Sequence, residues 1–134
     1  MNAEILSVGT ELLLGHTVNT DTAIVARELS TIGINVLHCA TVGDNPGRLE
    51  EAVRQALSRS DILITTGGLG PTGDDLTKET VARVAGRPLA LHEESLRRIE
   101  EYFQNRPWGE SQKKQAWLPQ GCTVLPNDVG TAPG

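Results

Sequence analysis

Three short apolar runs, each closed by a turn and each followed by a segment of helical period, constrain this chain more than any other feature. Ala3–Val8 is stopped by Gly9, and from Asn19 onward Val25, Leu29 and Ile32 recur at helical spacing until Gly33. That change of period, from a continuous apolar run to a three-to-four spacing, marks a strand buried on both faces feeding a helix. Ile34–His38 repeats the pattern, and Asp44-Asn45-Pro46 supplies an N-cap with a proline for the first turn of a helix whose face is Leu49, Ala52, Val53, Ala56 and Leu57. Asp61–Thr66 is the third run and enters Gly67-Gly68; the next helix begins near Asp75, with Leu76, Val81 and Val84 inward and Gly86 as its stop. Strands alternating with helices predict a mostly parallel sheet covered on both faces.

Further along, Leu89–Leu91 reads as a short edge strand and the following segment as a helix with Leu96, Ile99 and Phe103 inside. Its Glu93/Arg97 and Glu94/Arg98 pairs read as a solvated face. A short helical piece through Lys114–Trp117 and a strand at Cys122–Leu125 complete the pattern; Trp108 and Trp117 either support association with further copies or close the bottom of the core. The 134 residues make one domain, residues 1–134, large enough to bury a core without disulfides or a structural metal. Cys39 and Cys122 are therefore expected as reduced, buried small side chains.

Composition removes several functions. The net charge is −5 and aromatic residues are 3% of the chain, which lacks the basic stripe and stacking platforms of a nucleic-acid module. No apolar run approaches ~18 residues and the amino terminus has no basic leader, so a cytoplasmic protein with no membrane segment is expected. His16, His38 and His92 show no zinc spacing.

Chemistry is expected at the carboxyl ends of the strands. The densest signal is Thr65–Thr77, where Gly67, Gly68 and Gly70 permit close backbone approach and the following helix aims its positive end at the same space. Adjacent Asp74 and Asp75 exceed what a helix cap needs, and beside an anion cradle they imply a bridging divalent cation. Gly68, Gly70 and Gly73 spell a dinucleotide fingerprint, but after the third strand rather than the first, with Pro71 and two acids in the way. A Walker loop is excluded, since Asp74 stands where lysine is required. After the first strand, Thr10, Glu11 and Asn19 are the polar candidates. After the second, Asp44 is either the cap ahead of Pro46 or a third acid of the site.

The segments Ser7–Gly15, Thr41–Asp44, Thr65–Glu79, Lys114-Gln115-Ala116 and Gly130–Gly134 resemble, in order, the MoaB/Mog-type molybdopterin-binding domain family and, more closely, its CinA-type (competence/damage-inducible) amino-terminal branch. The resemblance implies a three-layer α/β/α fold and cleavage of ADP-ribose at its diphosphate with a divalent metal, Mg²⁺ or similar. On it Gly67, Gly68 and Gly70 match the phosphate loop and Asp75, Asp44 and Glu11 the family's loop acids, which are the catalytic candidates; Asp44, Asp74 and Asp75, as acids beside an anion cradle, are the expected metal ligands. The remaining substrate contacts are Thr10, Asn19, Thr66, Gly67, Gly68, Gly70, Asp74 and Lys78. Leu69 stands where many Mog-type members carry threonine, which favours the CinA branch. The alternative is a module that binds a phosphorylated pterin or nucleotide without turning it over. Family members are usually homo-oligomers, dimers or trimers, and the CinA type carries a carboxyl-terminal domain that deamidates nicotinamide mononucleotide. The sequence stops at Gly134, before a further strand and a Pro-Gly-Val-Pro-like loop, so a domain shortened at its carboxyl end is expected.

Overall fold

In a computed structural model describing residues 1–134, strand β1 (Asn2–Val8) is the centre of a three-stranded parallel sheet of order β2-β1-β3, flanked by β2 (Asn35–Val42) and β3 (Ile62–Thr66). Ala3 to Val8 are all buried, as a run without alternation requires. The chain divides into two compact units, residues 1–68 and 69–134.

The first unit is an α/β/α sandwich. Ser7 of β1 meets Thr22 of α2 (Thr20–Thr31), while Glu4, three residues earlier and therefore on the opposite face, meets Arg59 of α3 (Pro46–Arg59). Leu49, Val53 and Ala56 of α3 are buried beneath the sheet, whereas Leu57 points outward. Asn19 caps α2 through its side chain and Gly33 follows the helix at φ +78°. Asp44 does not cap α3; Asn45 does, its amide oxygen accepting from the Arg48 N–H at 3.0 Å. The expected loop from Gly9 to Asn19 opens with a one-turn helix, α1 (Thr10–Leu13). β2 runs four residues beyond His38, with a bulge that places Leu37 outside the register.

Glu4 is 2% exposed and forms a bidentate pair with Arg59 at 2.8 and 2.7 Å. A carboxylate on a central strand is tolerable only with such a partner.

The second unit holds α4 (Thr77–Val84), α5 (Glu93–Phe103), α6 (Glu110–Lys113), a 3₁₀ turn at Lys114–Ala116, and the antiparallel pair β4 (Leu89–Leu91) and β5 (Trp117–Pro119). Several expectations fail here. Helix α4 starts at Thr77 rather than near Asp75 and buries Thr77, Thr80 and Ala82, leaving Leu76, Val81 and Val84 half-buried. The strand expected at Cys122–Leu125 lies earlier, at Trp117–Pro119, because Gly121 at φ +78° turns the chain; Leu125 instead exchanges both backbone bonds with Gly134. Trp117 is on that strand and 41% exposed, so it closes no core; Trp108 stacks on Phe103. Both cysteines are exposed, Cys39 because it lies on the edge strand β2, where only Val42 is buried, and Cys122 because it follows the Gly121 turn. In α5, Glu94 reaches both Arg97 and Arg98, and Arg98 also reaches Asp128.

Candidate functional site

In the first unit the parallel strands deliver three loops to one edge of the sheet. Gly9 N–H is tied to the Val42 carbonyl at 2.9 Å, and Gly67 leaves β3 at φ +84°, where an added Cβ would collide with the Val8 carbonyl. Only glycine combines that dihedral with that closeness. Thr10 and Asp44 exchange hydrogen bonds: the Asp44 N–H donates to Thr10 Oγ1 at 3.0 Å and the Thr10 N–H to Asp44 Oδ2 at 3.3 Å. The first and second strand loops are thereby joined, and Glu11 occupies the exposed first turn of α1 beside them.

Beneath these loops lies a polar knot. Ser7 Oγ, fully buried, accepts from Asn19 Nδ2 at 2.9 Å and from Thr66 Oγ1 at 3.2 Å and lies 3.0 Å from Thr22 Oγ1. A cavity of about 180 Å³ opens above it, lined by Glu11, Thr17, Asn19, Asp21, Thr66 and Gly67 among others. Six of the expected residues, Glu11, Asn19, Thr66 and Gly67 at the cavity and the bonded pair Thr10 and Asp44, thus lie within one unit. Ser7 itself was hidden by its place in an apolar run.

The second unit holds the rest of the glycine loop, and there the expected anion cradle is partly filled by the loop's own carboxylate. Asp75 Oδ2 accepts from the Thr72 N–H at 2.9 Å and from the Thr72 hydroxyl at 2.6 Å, and an added Cβ at Gly70 would stand 2.6 Å from the same oxygen. Burial pushes the Asp75 carboxyl up, but the Thr72 hydroxyl, the Thr72 and Gly70 amides and the Lys114 charge outweigh it, and its pKa lies below the ordinary value. Asp74 next to it is exposed.

The loop is pinned by residues the glycine pattern does not reveal. Lys114 Nζ donates to the Thr72 carbonyl at 2.8 Å and the Asp75 carbonyl at 2.6 Å, and Gln115, 3% exposed, donates to the Leu69 carbonyl at 3.3 Å. Lys78 is turned away from solvent, its Nζ donating to the Lys114 carbonyl at 2.7 Å; burial lowers its pKa despite the opposing charge of Glu79. Lys78 is thus engaged in holding Lys114. The Lys114-Gln115-Ala116 motif was the one signal for this bracing, and its spacing alone carried no role.

Nowhere in the chain do three or more His, Cys, Asp or Glu side chains form a group that could hold a metal ion. The donors present are hard carboxylate oxygens, of the kind Mg²⁺ takes one or two at a time together with substrate phosphates. A cavity of about 570 Å³ lies in the second unit along α5 and residues 122–133 and includes none of the expected site residues.

Comparison with known proteins follows the same lines. Residues 4–134 match the family model described as "Probable molybdopterin binding domain". The chain is 65% identical over all 134 residues to a CinA-like protein of Desulfovibrio desulfuricans, covering 32% of it, and 55% identical over 136 aligned residues to a CinA-like protein of Dictyoglomus thermophilum, covering 33%. It therefore spans about a third of the length of the curated relatives it matches. Among solved structures it resembles the protein CinA of Thermoplasma acidophilum, with 38% identity, a TM-score of 0.92, and coverage of 99% of this chain and 79% of that one. MoaB of Thermus thermophilus, 21% identical with a TM-score of 0.60 over 79% of this chain and 67% of that one, shares the fold.

Proposed function

We infer the function from one premise: the chain belongs to the molybdopterin-binding domain family, in its CinA-like branch. We propose that it hydrolyses the diphosphate of ADP-ribose. Water adds to one phosphorus, its proton passes to Glu11 or Asp44, and the bridging oxygen departs with the other phosphate, giving AMP and ribose 5-phosphate. The observation that carries this reading is the convergence, at the carboxyl edge of the parallel sheet, of Thr10, Glu11, Asn19, Asp44, Thr66 and Gly67. Strand ends of this kind are where open α/β sheets take ligands.

In this reading the glycines of the loop after β3, Gly67, Gly68 and Gly70, let the backbone approach the phosphates. A divalent cation such as Mg²⁺ would, when bound, neutralise the diphosphate and acidify a water; its candidate holders are Asp44 taken by itself in the first unit and the adjacent Asp74 and Asp75 in the second, one or two carboxylates with the remaining positions left to phosphate and water. Lys114 and Gln115 keep the loop in shape, with Lys78 behind them.

The second reading, a module that binds a phosphorylated pterin or nucleotide without turnover, is favoured by one observation. Asp75 is already bonded inside its own loop. Incubation with ADP-ribose and Mg²⁺, followed by chromatography, separates the two: the proposal expects AMP and ribose 5-phosphate, and binding by calorimetry with no product supports the module. Asp75→Asn is expected to keep affinity and lose turnover.

A cytosolic setting belongs to the proposal, as do association with further copies of the chain and, in a longer protein, a carboxyl-terminal domain that deamidates nicotinamide mononucleotide. Light scattering at micromolar concentration tests the association, which a monodisperse monomer would refute.

A further inference from the structure

Hydrogen-bond counting around Ser7 gives the small cavity above it a fixed polarity. A hydroxyl has one donor and two acceptor positions. Ser7 Oγ accepts from Asn19 Nδ2 and from Thr66 Oγ1, so its own proton goes to Thr22 Oγ1. The Thr66 proton is then spent on Ser7, and what Thr66 Oγ1 offers the cavity is an acceptor. The Asn19 amide is fixed in the same way. Its oxygen accepts the Thr22 N–H at 3.3 Å, one Nδ2 proton goes to Ser7, and the second is the donor left for a ligand. Donor and acceptor each lie about 3 Å from one oxygen, at 2.9 and 3.2 Å, so a single small group reaches both.

The walls restrict that group further. Glu11 and Asp21 line the cavity with negative charge and repel phosphate, while Thr17 and Thr20 add hydroxyls. Its volume of about 180 Å³ is below the ~300–1,000 Å³ of sites that enclose a whole drug-sized ligand, so it takes one ring of a larger molecule. A neutral group whose neighbouring hydroxyls both donate and accept satisfies all of these conditions.

We propose that this cavity is the subsite for a ribose, read through its vicinal diol by Asn19 and Thr66, and that buried Ser7 is the positioning residue that sets their polarity. This rests on the functional reading above and deepens it, assigning a sugar of the ligand to the first unit's cavity and the phosphates to positions outside that cavity. Ser7 touches no ligand; without it the Asn19 amide and Thr66 hydroxyl lose their fixed roles.

The test is titration calorimetry of the chain with two probe pairs, ribose 5-phosphate against 2-deoxyribose 5-phosphate and AMP against 2′-deoxy-AMP. The wild type is expected to prefer the ribo form about tenfold in at least one pair, since a site built to bond a hydroxyl discriminates against its absence. Ser7→Ala is expected to reduce that preference below twofold while retaining at least a third of the affinity for the deoxy probe, a selective change that a general loss of fold does not produce. Thr66→Val, which keeps shape and removes the acceptor, provides a second variant with the same expected loss of preference. Equal wild-type affinity for both members of both pairs overturns the proposal, as does an undiminished preference in both variants. If ADP-ribose is hydrolysed while the pairs bind equally, only the ribose subsite fails; if no probe and no ADP-ribose binds, the functional reading fails with it.

Discussion

The two units of this chain hold their shape by different means. In the first, a central strand with six consecutive buried residues is paired along its length on both sides, and its glycines and caps fall where the strands and helices end. In the second, each strand is three residues long, and the segment from Leu69 to Asp75 is held by bonds from the side chains of Thr72, Lys114 and Gln115. Apolar burial sets the first unit, whereas polar side chains bonded to backbone set the second. A change of equal size therefore has unequal consequences in the two.

The sharpest separation is expected from truncation of the central strand. Ile5 is 0% exposed, and Ile5→Ala leaves a cavity between sheet and helix that is expected to cost about 4 kcal/mol in denaturant unfolding. A loss below about 1 kcal/mol would break the claim that burial holds the first unit. Next comes Gly67→Ala, which forces a side chain into a left-handed backbone against the Val8 carbonyl and is expected to cost about 3 kcal/mol, measured the same way.

The second unit is expected to respond less in stability and more in local order. Gln115→Ala removes the donor to the Leu69 carbonyl and the acceptor of the Thr131 hydroxyl, at a cost of about 1–2 kcal/mol. Amide hydrogen exchange is expected to quicken in residues 69–75 and to stay unchanged along β1 and β3. Equal acceleration in both units would erase the distinction drawn between them.

This contrast also explains what the sequence made legible. The strands β1 and β3, helix α2 with its Gly33 stop and helix α3 follow from period and caps, because burial on both faces leaves an unbroken apolar run and a helix leaves a spacing. The misplaced strand near Cys122 and the late start of α4 have the opposite cause. Their boundaries depend on Gly121 turning the chain and on Lys114 reaching the Thr72 and Asp75 carbonyls, contacts between residues some forty positions apart that no local pattern encodes. The candidate site divides likewise. Glu11, Asn19 and Thr66 are legible as polar residues of loops that follow the strands and Gly67 as part of a glycine loop, but Ser7 sits inside an apolar run, and the bond from Lys78 to the Lys114 carbonyl joins residues far apart in sequence.

The smallest expected effect is on acid stability, and it again contrasts the units. Arg59, through its hydrogen bond and then its charge, holds the Glu4 carboxyl below the ordinary value, and Thr72 with its neighbours does the same for Asp75. For a carboxyl lowered on folding, the stabilisation is complete above the unfolded pKa and is lost as pH falls through the folded one. Unfolding followed from pH 7 to pH 3 is expected to lose less stability in Glu4→Gln and in Asp75→Asn than in the wild type. An unaltered slope in both variants would contradict the pairing.

The measurement that tests the central claim most directly is hydrolysis of ADP-ribose in ¹⁸O-water with Mg²⁺, read by mass spectrometry of the products. The account predicts AMP and ribose 5-phosphate, with one heavy oxygen on the phosphate group of one of them, read on the phosphate fragment so that the solvent exchange at the reducing C1 of ribose does not count. Recovery of unchanged ADP-ribose, or of ADP and free ribose, would contradict it.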